Sequence, residues 1–210
     1  MADLFRNIYL SILLILGIYS VFTLFKNTFY IKLYAIVTLG VEIIGFFYLR
    51  IYQTPIAWLY NLYAIFEIWA WANFFLIIVN ESRNRRFWLL FFIYTLVFNF
   101  FGNFNIMKLN NEGFLLNNVI VASFIAYYFN YILKNGLNIS GFFWIMIGAM
   151  FYNVGGFLLT GMVQIIAKTD PIMGGKLFDI NTLLNIFFYG FVLYGVLNID
   201  REYKELPAKL

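Results

Sequence analysis

Histidine and cysteine are absent from this chain of 210 residues. Without them there is no imidazole base, no Ser-His pair, no thiolate nucleophile, no histidine or cysteine haem ligand and no zinc site of the usual nitrogen and sulfur type. Without cysteine there is also no redox signal from which to read a compartment. Charge is scarce as well, at 11% of residues against about 25% in soluble domains. Proline occurs only at Pro55, Pro171 and Pro207, outside the apolar runs, so the helices are expected to be unkinked.

What fills the chain instead is apolar: 63% hydrophobic residues, 23% aromatic, and a mean hydropathy of +0.83. Such a composition leaves little surface suited to water and points to a single membrane domain. The isoelectric point near 9.2 and net charge of +4 come from residues between the apolar runs. They are topology signals, and no nucleic-acid partner is expected.

Seven apolar runs have the length of a membrane-crossing helix, about 20 residues. They cover about residues 7–25, 33–52, 56–80, 87–106, 114–133, 139–166 and 180–198. The fold class predicted is all-α integral membrane, a seven-helix transmembrane bundle over 1–199 with a short charged tail at 200–210. The first run is too long for a signal-peptide core and is followed by no small-residue cleavage pattern, so it is read as a retained span. Asparagines and Gly102 thin the fourth run after Phe98, and a frayed end is expected there. The stretch from Ala167 to Asp179, with Asp170-Pro171 and Gly174-Gly175, reads as the longest connection and as an ordered lid or gate.

Seven spans place the termini on opposite sides. Lys26, Lys32, Arg83, Arg85, Arg86, Lys134, Arg201, Lys204 and Lys209 then share the side of the C-terminus, whereas Arg6, Arg50, Lys108, Lys168 and Lys176 lie opposite. The positive-inside rule predicts an outer N-terminus and a cytoplasmic C-terminus in a bacterial inner membrane. The Arg83, Arg85 and Arg86 cluster supplies much of that bias.

The third run, residues 56–80, holds one carboxylate, Glu67, at its centre. An acid there costs about 2.5 to 3.5 kcal/mol on insertion scales, so it should face protein or a watered cavity. On a helical wheel Tyr60, Tyr63, Ala70, Trp71 and Phe74 fall within about 60° of it. The second run gathers Ala35, Thr38, Glu42, Gly45 and Phe46 on one mostly small face, with Glu42 near mid-span. Two acids at similar depth on consecutive antiparallel helices are expected to share a site and hold a proton.

Amides continue the pattern. Ala149, Asn153, Gly156, Thr160 and Gln164 form one stripe, and Asn181, Asn185 and Tyr189 another. Asn61, Asn99, Asn103, Asn117, Asn118, Thr160, Gln164, Asn181 and Asn185 all lie toward the side of the N-terminus, which suggests a polar vestibule narrowing to the acids. The alternative is that such amides only bond neighbouring helices together. The ligand-binding set predicted is Glu42, Glu67, Tyr60, Tyr63, Trp71, Asn153, Asn185 and Tyr189, suited to a small polar or cationic ligand or a proton through carboxylate pairing and cation–π contact. No cofactor, metal or catalytic residue is predicted.

Asn61-x-Tyr63-x3-Glu67, the stretch Trp144 to Gly156 and the asparagine-rich last run resemble uncharacterised bacterial seven-helix membrane proteins of about this length. That resemblance implies fold and location, and no activity. Retinal proteins are excluded because residues 180–198 hold no lysine for a Schiff base. In the three-plus-one-plus-three sugar and cystine transporters Glu42 and Glu67 would align with Asn153 and Asn185, but the Pro-Gln signature is missing. Membrane lysoplasmalogenases use intramembrane aspartates, and the spans contain none.

Three function classes fit these residues. The first is a transporter-like or sensor-like module with a midplane acidic site. The second is an intramembrane lipid hydrolase using paired glutamates on a water. The third is a structural or pore-forming subunit acting through a homo-oligomer or a partner membrane protein.

Overall fold

A backbone in hydrocarbon has no water to bond to, so an apolar run closes its hydrogen bonds within itself as a helix. The computed structural model describes residues 2–23, 28–54, 56–79, 89, 92–97, 110–136, 140–169 and 171–205, and among these every long element is α-helical. The order is α1 (Ala2–Phe22), α2 (Phe29–Tyr52), α3 (Ala57–Val79), α4 (92–97), α5 (Asn111–Asn135), α6 (Gly141–Thr169) and α7 (Pro171–Glu205). Six of them, all but α4, contain windows long and apolar enough to cross a membrane. The remainder of the run expected at 87–106, the Arg83, Arg85 and Arg86 cluster and the tail beyond Glu205 lie outside the described residues.

One expected connection is helix. The stretch read as a loop and gate from Ala167 to Asp179 belongs instead to the end of α6 and the start of α7, which runs for 35 residues. Pro171 explains the difference. At the first helical position its fixed φ suits the helix, and its missing N–H would have had no partner there anyway. The chain therefore restarts its helix at the proline, and Gly174 and Gly175 fall inside α7.

Packing divides the chain into two units, Gly17–Asn117 and Met1–Leu16 with Asn118–Leu210. In the first, α2 and α3 form a hairpin whose turn is capped by Gln53. This residue adopts the left-handed region at φ 55°, and its N–H reaches the Leu49 carbonyl at 2.9 Å. The end of α1 is tied to α2 by Lys32, which is 1% exposed and donates from Nζ to the Thr23 carbonyl at 2.6 Å. Its ammonium also lies 5.6 Å from the Tyr19 ring centre. Expected only as a topology charge, Lys32 caps the end of α1, where a cation is favoured by the helix dipole.

In the second unit α6 and α7 run antiparallel in close contact. Gly141, Gly148 and Gly155, spaced by seven, lie along the seam. A Cβ on Gly195 would sit 2.5 Å from the Gly141 carbonyl oxygen, and one on Gly148 would sit 2.6 Å from Phe191 Cβ. Ring stacking closes the seam: Trp144 lies parallel to Phe191 at 6.0 Å, and Tyr152 lies against Phe188 at 5.0 Å. The outer faces of the helices stay apolar, as Ile43, Ile44, Phe47 and Ile51 on α2 illustrate. In lipid this exposure carries no hydrophobic penalty.

Candidate functional site

The α2–α3 interface is built from side chains that carry polar tips. Tyr34 of α2 is 1% exposed and donates its hydroxyl to Glu67 Oε1 of α3 at 3.0 Å. Glu67 is itself 7% exposed and is the eleventh residue of the 22-residue span Ala57–Ile78. Among the described residues Tyr34 is the only hydrogen-bond partner of this carboxyl, and no basic side chain pairs with it. The Tyr34 ring is flanked by Tyr63 at 6.1 Å, nearly parallel, and by Trp71 at 5.9 Å. Phe74 meets Trp71 edge-on at 5.9 Å. A carboxylate, a phenol and an indole therefore share one enclosed neighbourhood.

One turn further along, Thr38 Oγ1 donates to the Tyr34 carbonyl at 2.8 Å. That uses the only proton of the hydroxyl, so the 2.8 Å contact with Tyr63 Oη has Tyr63 as donor. Beyond this pair, Tyr60 points its hydroxyl at the space left by Gly45, where a Cβ would lie 2.8 Å away. The half-buried Glu42 acts electrostatically on that hydroxyl. Each acid thus faces a tyrosine of the opposite helix, with Thr38 and Tyr63 between.

This register revises the expected pairing of the acids. Glu67 is level with Tyr34, whereas Glu42 is eight positions further along α2, about 12 Å of helix axis. The two glutamates share an interface without sharing a depth. The antiparallel register is set at the short Gln53 turn, and mid-span position counted on each helix separately ignores that constraint. Phe46, placed on the small face by its wheel angle, is exposed.

The other predicted residues separate by unit. Tyr60, Tyr63 and Trp71 lie in the first unit with both acids. Asn153, Asn185 and Tyr189 belong to the second. Asn153 is buried and donates to the Ala149 carbonyl of its own helix at 2.8 Å. With Asn118 and Ser123 it lines a groove of about 320 Å³ between α5 and α6. Asn185 is half-buried. Tyr189 is buried against Tyr9 at 5.7 Å and Phe188 at 4.7 Å.

Two of the expected vestibule asparagines bond helices together. Asn61 Oδ1 accepts the Asn110 N–H at 2.9 Å, and Asn110 caps α5 by accepting the Gly113 N–H at 2.9 Å. Asn117 Nδ2 donates to the Ala64 carbonyl at 2.9 Å. Asn99, Asn103 and the side chain of Gln164 lie outside the described residues.

Tyr34 is the residue of this candidate site that sequence reasoning missed. A wheel centred on Glu42 places it about 80° away. The face that packs on α3 is centred instead on Thr38 and Gly45, and Tyr34, Thr38, Val41 and Gly45 follow i, i+4, i+7, i+11. All four are buried.

The fold and its apolar helices define the class: a multi-pass helical membrane protein. In comparison with known proteins, no family model, no curated protein and no solved structure matches this chain.

Proposed function

We propose that the α2–α3 hairpin holds a midspan acidic site that binds a small polar or cationic ligand or a proton, in a transporter-like or sensor-like protein of a cell inner membrane. In this reading the chain has seven spans with the N-terminus outside. The carrying observation is Glu67, a sequestered carboxyl halfway along its span with one neutral donor and no basic partner among the described residues. An ionisable group in the bilayer marks a ligand or ion path by default. The ligand would neutralise the carboxylate while Tyr34 and Trp71 offer ring faces to a cation.

The paired-glutamate hydrolase is disfavoured by the same geometry. A general acid and base must reach one water, and Glu42 stands about 12 Å of helix axis beyond Tyr34, the residue that bonds Glu67. Glu67→Gln tests the reading. It is expected to abolish ligand binding or flux in the purified full chain while leaving helix content unchanged by circular dichroism. Undiminished binding in that variant removes Glu67 from the site.

A further inference from the structure

We infer that Asn117 is a second ligand of the Glu67 site and that the occupant is a monovalent cation. This inference rests on the binding role just proposed for Glu67. Asn117 is 2% exposed, and its Nδ2 is committed to the Ala64 carbonyl at 2.9 Å. That bond fixes which end of the amide is which. Oδ1 is left fully buried with no hydrogen-bond partner, one of two such side-chain atoms among the described residues.

Ala64 lies three residues before Glu67, and residues three apart on a helix are surface neighbours with Cβ atoms about 5 to 6 Å apart. The Asn117 amide is therefore seated on the helical turn that carries the carboxyl. Glu67 has only one hydroxyl donor for its two oxygens. Both acceptors are short of donors, and a positive or donor-bearing species that reaches both would satisfy them.

The charge count selects the class of occupant. The neighbourhood offers one carboxylate and neutral oxygens, Glu42 lies about two turns away, and no group of three acids forms among the described residues. A divalent ion would retain an uncompensated charge in the span. A monovalent ion is balanced by Glu67 alone. Both an alkali ion and a protonated amine satisfy this chemistry, and the aromatic faces of Tyr34 and Trp71 add cation–π attraction for the amine.

The test is a cation titration of the purified full chain in detergent, read as the thermal unfolding midpoint. Sodium, potassium and methylammonium chlorides are compared with N-methylglucamine chloride, which matches ionic strength. The wild type should show saturable stabilisation by at least one of the first three, and the cation that gives it distinguishes an alkali ion from an amine. Asn117→Leu should weaken the apparent affinity at least tenfold. Asn117→Asp, of nearly the same shape with an added charge, should tighten it at least tenfold.

A structural amide predicts otherwise: Asn117→Leu would remove an orphan acceptor and leave cation affinity unmoved. Affinities within twofold of wild type in both variants, with binding lost in Glu67→Gln, overturn the inference and leave the Glu67 reading standing. Absence of a saturable response in the wild type, as expected if a structural water alone bridges the two oxygens, overturns this inference. A response that persists in Glu67→Gln overturns the Glu67 reading together with it.

Discussion

The hairpins α2–α3 and α6–α7 are joined by opposite means. In α6–α7 glycines bring backbones together, and the rings of Trp144, Tyr152, Phe188 and Phe191 fill the flanks. In α2–α3 the helices meet through long side chains ending in hydroxyls and carboxyls, with Gly45 making room for one of them. Lipid tails are as apolar as leucine, so dispersion and polar contacts decide helix association in a membrane. The α6–α7 hairpin uses dispersion and serves as scaffold. The α2–α3 hairpin places polar groups at its interface, one of them an acid with no basic partner among the described residues, and the proposed binding site lies there.

The most damaging change to this contrast is Gly195→Val. Its Cβ would fall 2.5 Å from the Gly141 carbonyl oxygen, and backbone cannot step aside as a side-chain tip can. A loss of about 3 kcal/mol or more is expected, read as a large drop in thermal midpoint or failure to purify folded. Next comes Tyr34→Phe, which removes the single donor to Glu67 at a cost of about 2 kcal/mol. Thermal unfolding of this variant should fall clearly, while the same measurement on Tyr194→Phe, at an exposed position of the glycine-lined hairpin, should change little. The smallest effect is a gain. Gln53→Gly relieves a left-handed non-glycine residue at the helix C-terminus and should stabilise by about 0.5 to 1 kcal/mol, seen as a modest rise in midpoint.

The helices were legible because hydrocarbon allows an apolar run few alternatives. Tyr60, Tyr63, Trp71 and Glu67 were also legible, since a wheel around an acid finds its own-helix neighbours. What crosses between helices was not. Tyr34 reaches Glu67 from a face offset from Glu42, and the depth of Glu42 relative to Glu67 depends on the hairpin register. The first two turns of α7 were misread because Pro171 and two glycines mark a loop as readily as a helix start. The seam of Gly141, Gly148 and Gly155 escaped attention to polar stripes, since it carries no polar side chain. Asn117 looked like one of many amides. Only its bond to Ala64 separates a satisfied end from an orphaned one.

The central claim is that Glu67 is a binding carboxylate and not a packing residue. Its most direct test is cation binding by Glu67→Gln, which is nearly isosteric and can still accept from Tyr34, measured beside wild type in the same detergent. Saturable stabilisation present in wild type and lost in the variant, with helix content unchanged, is the predicted result. Equal cation responses in the two proteins would contradict it.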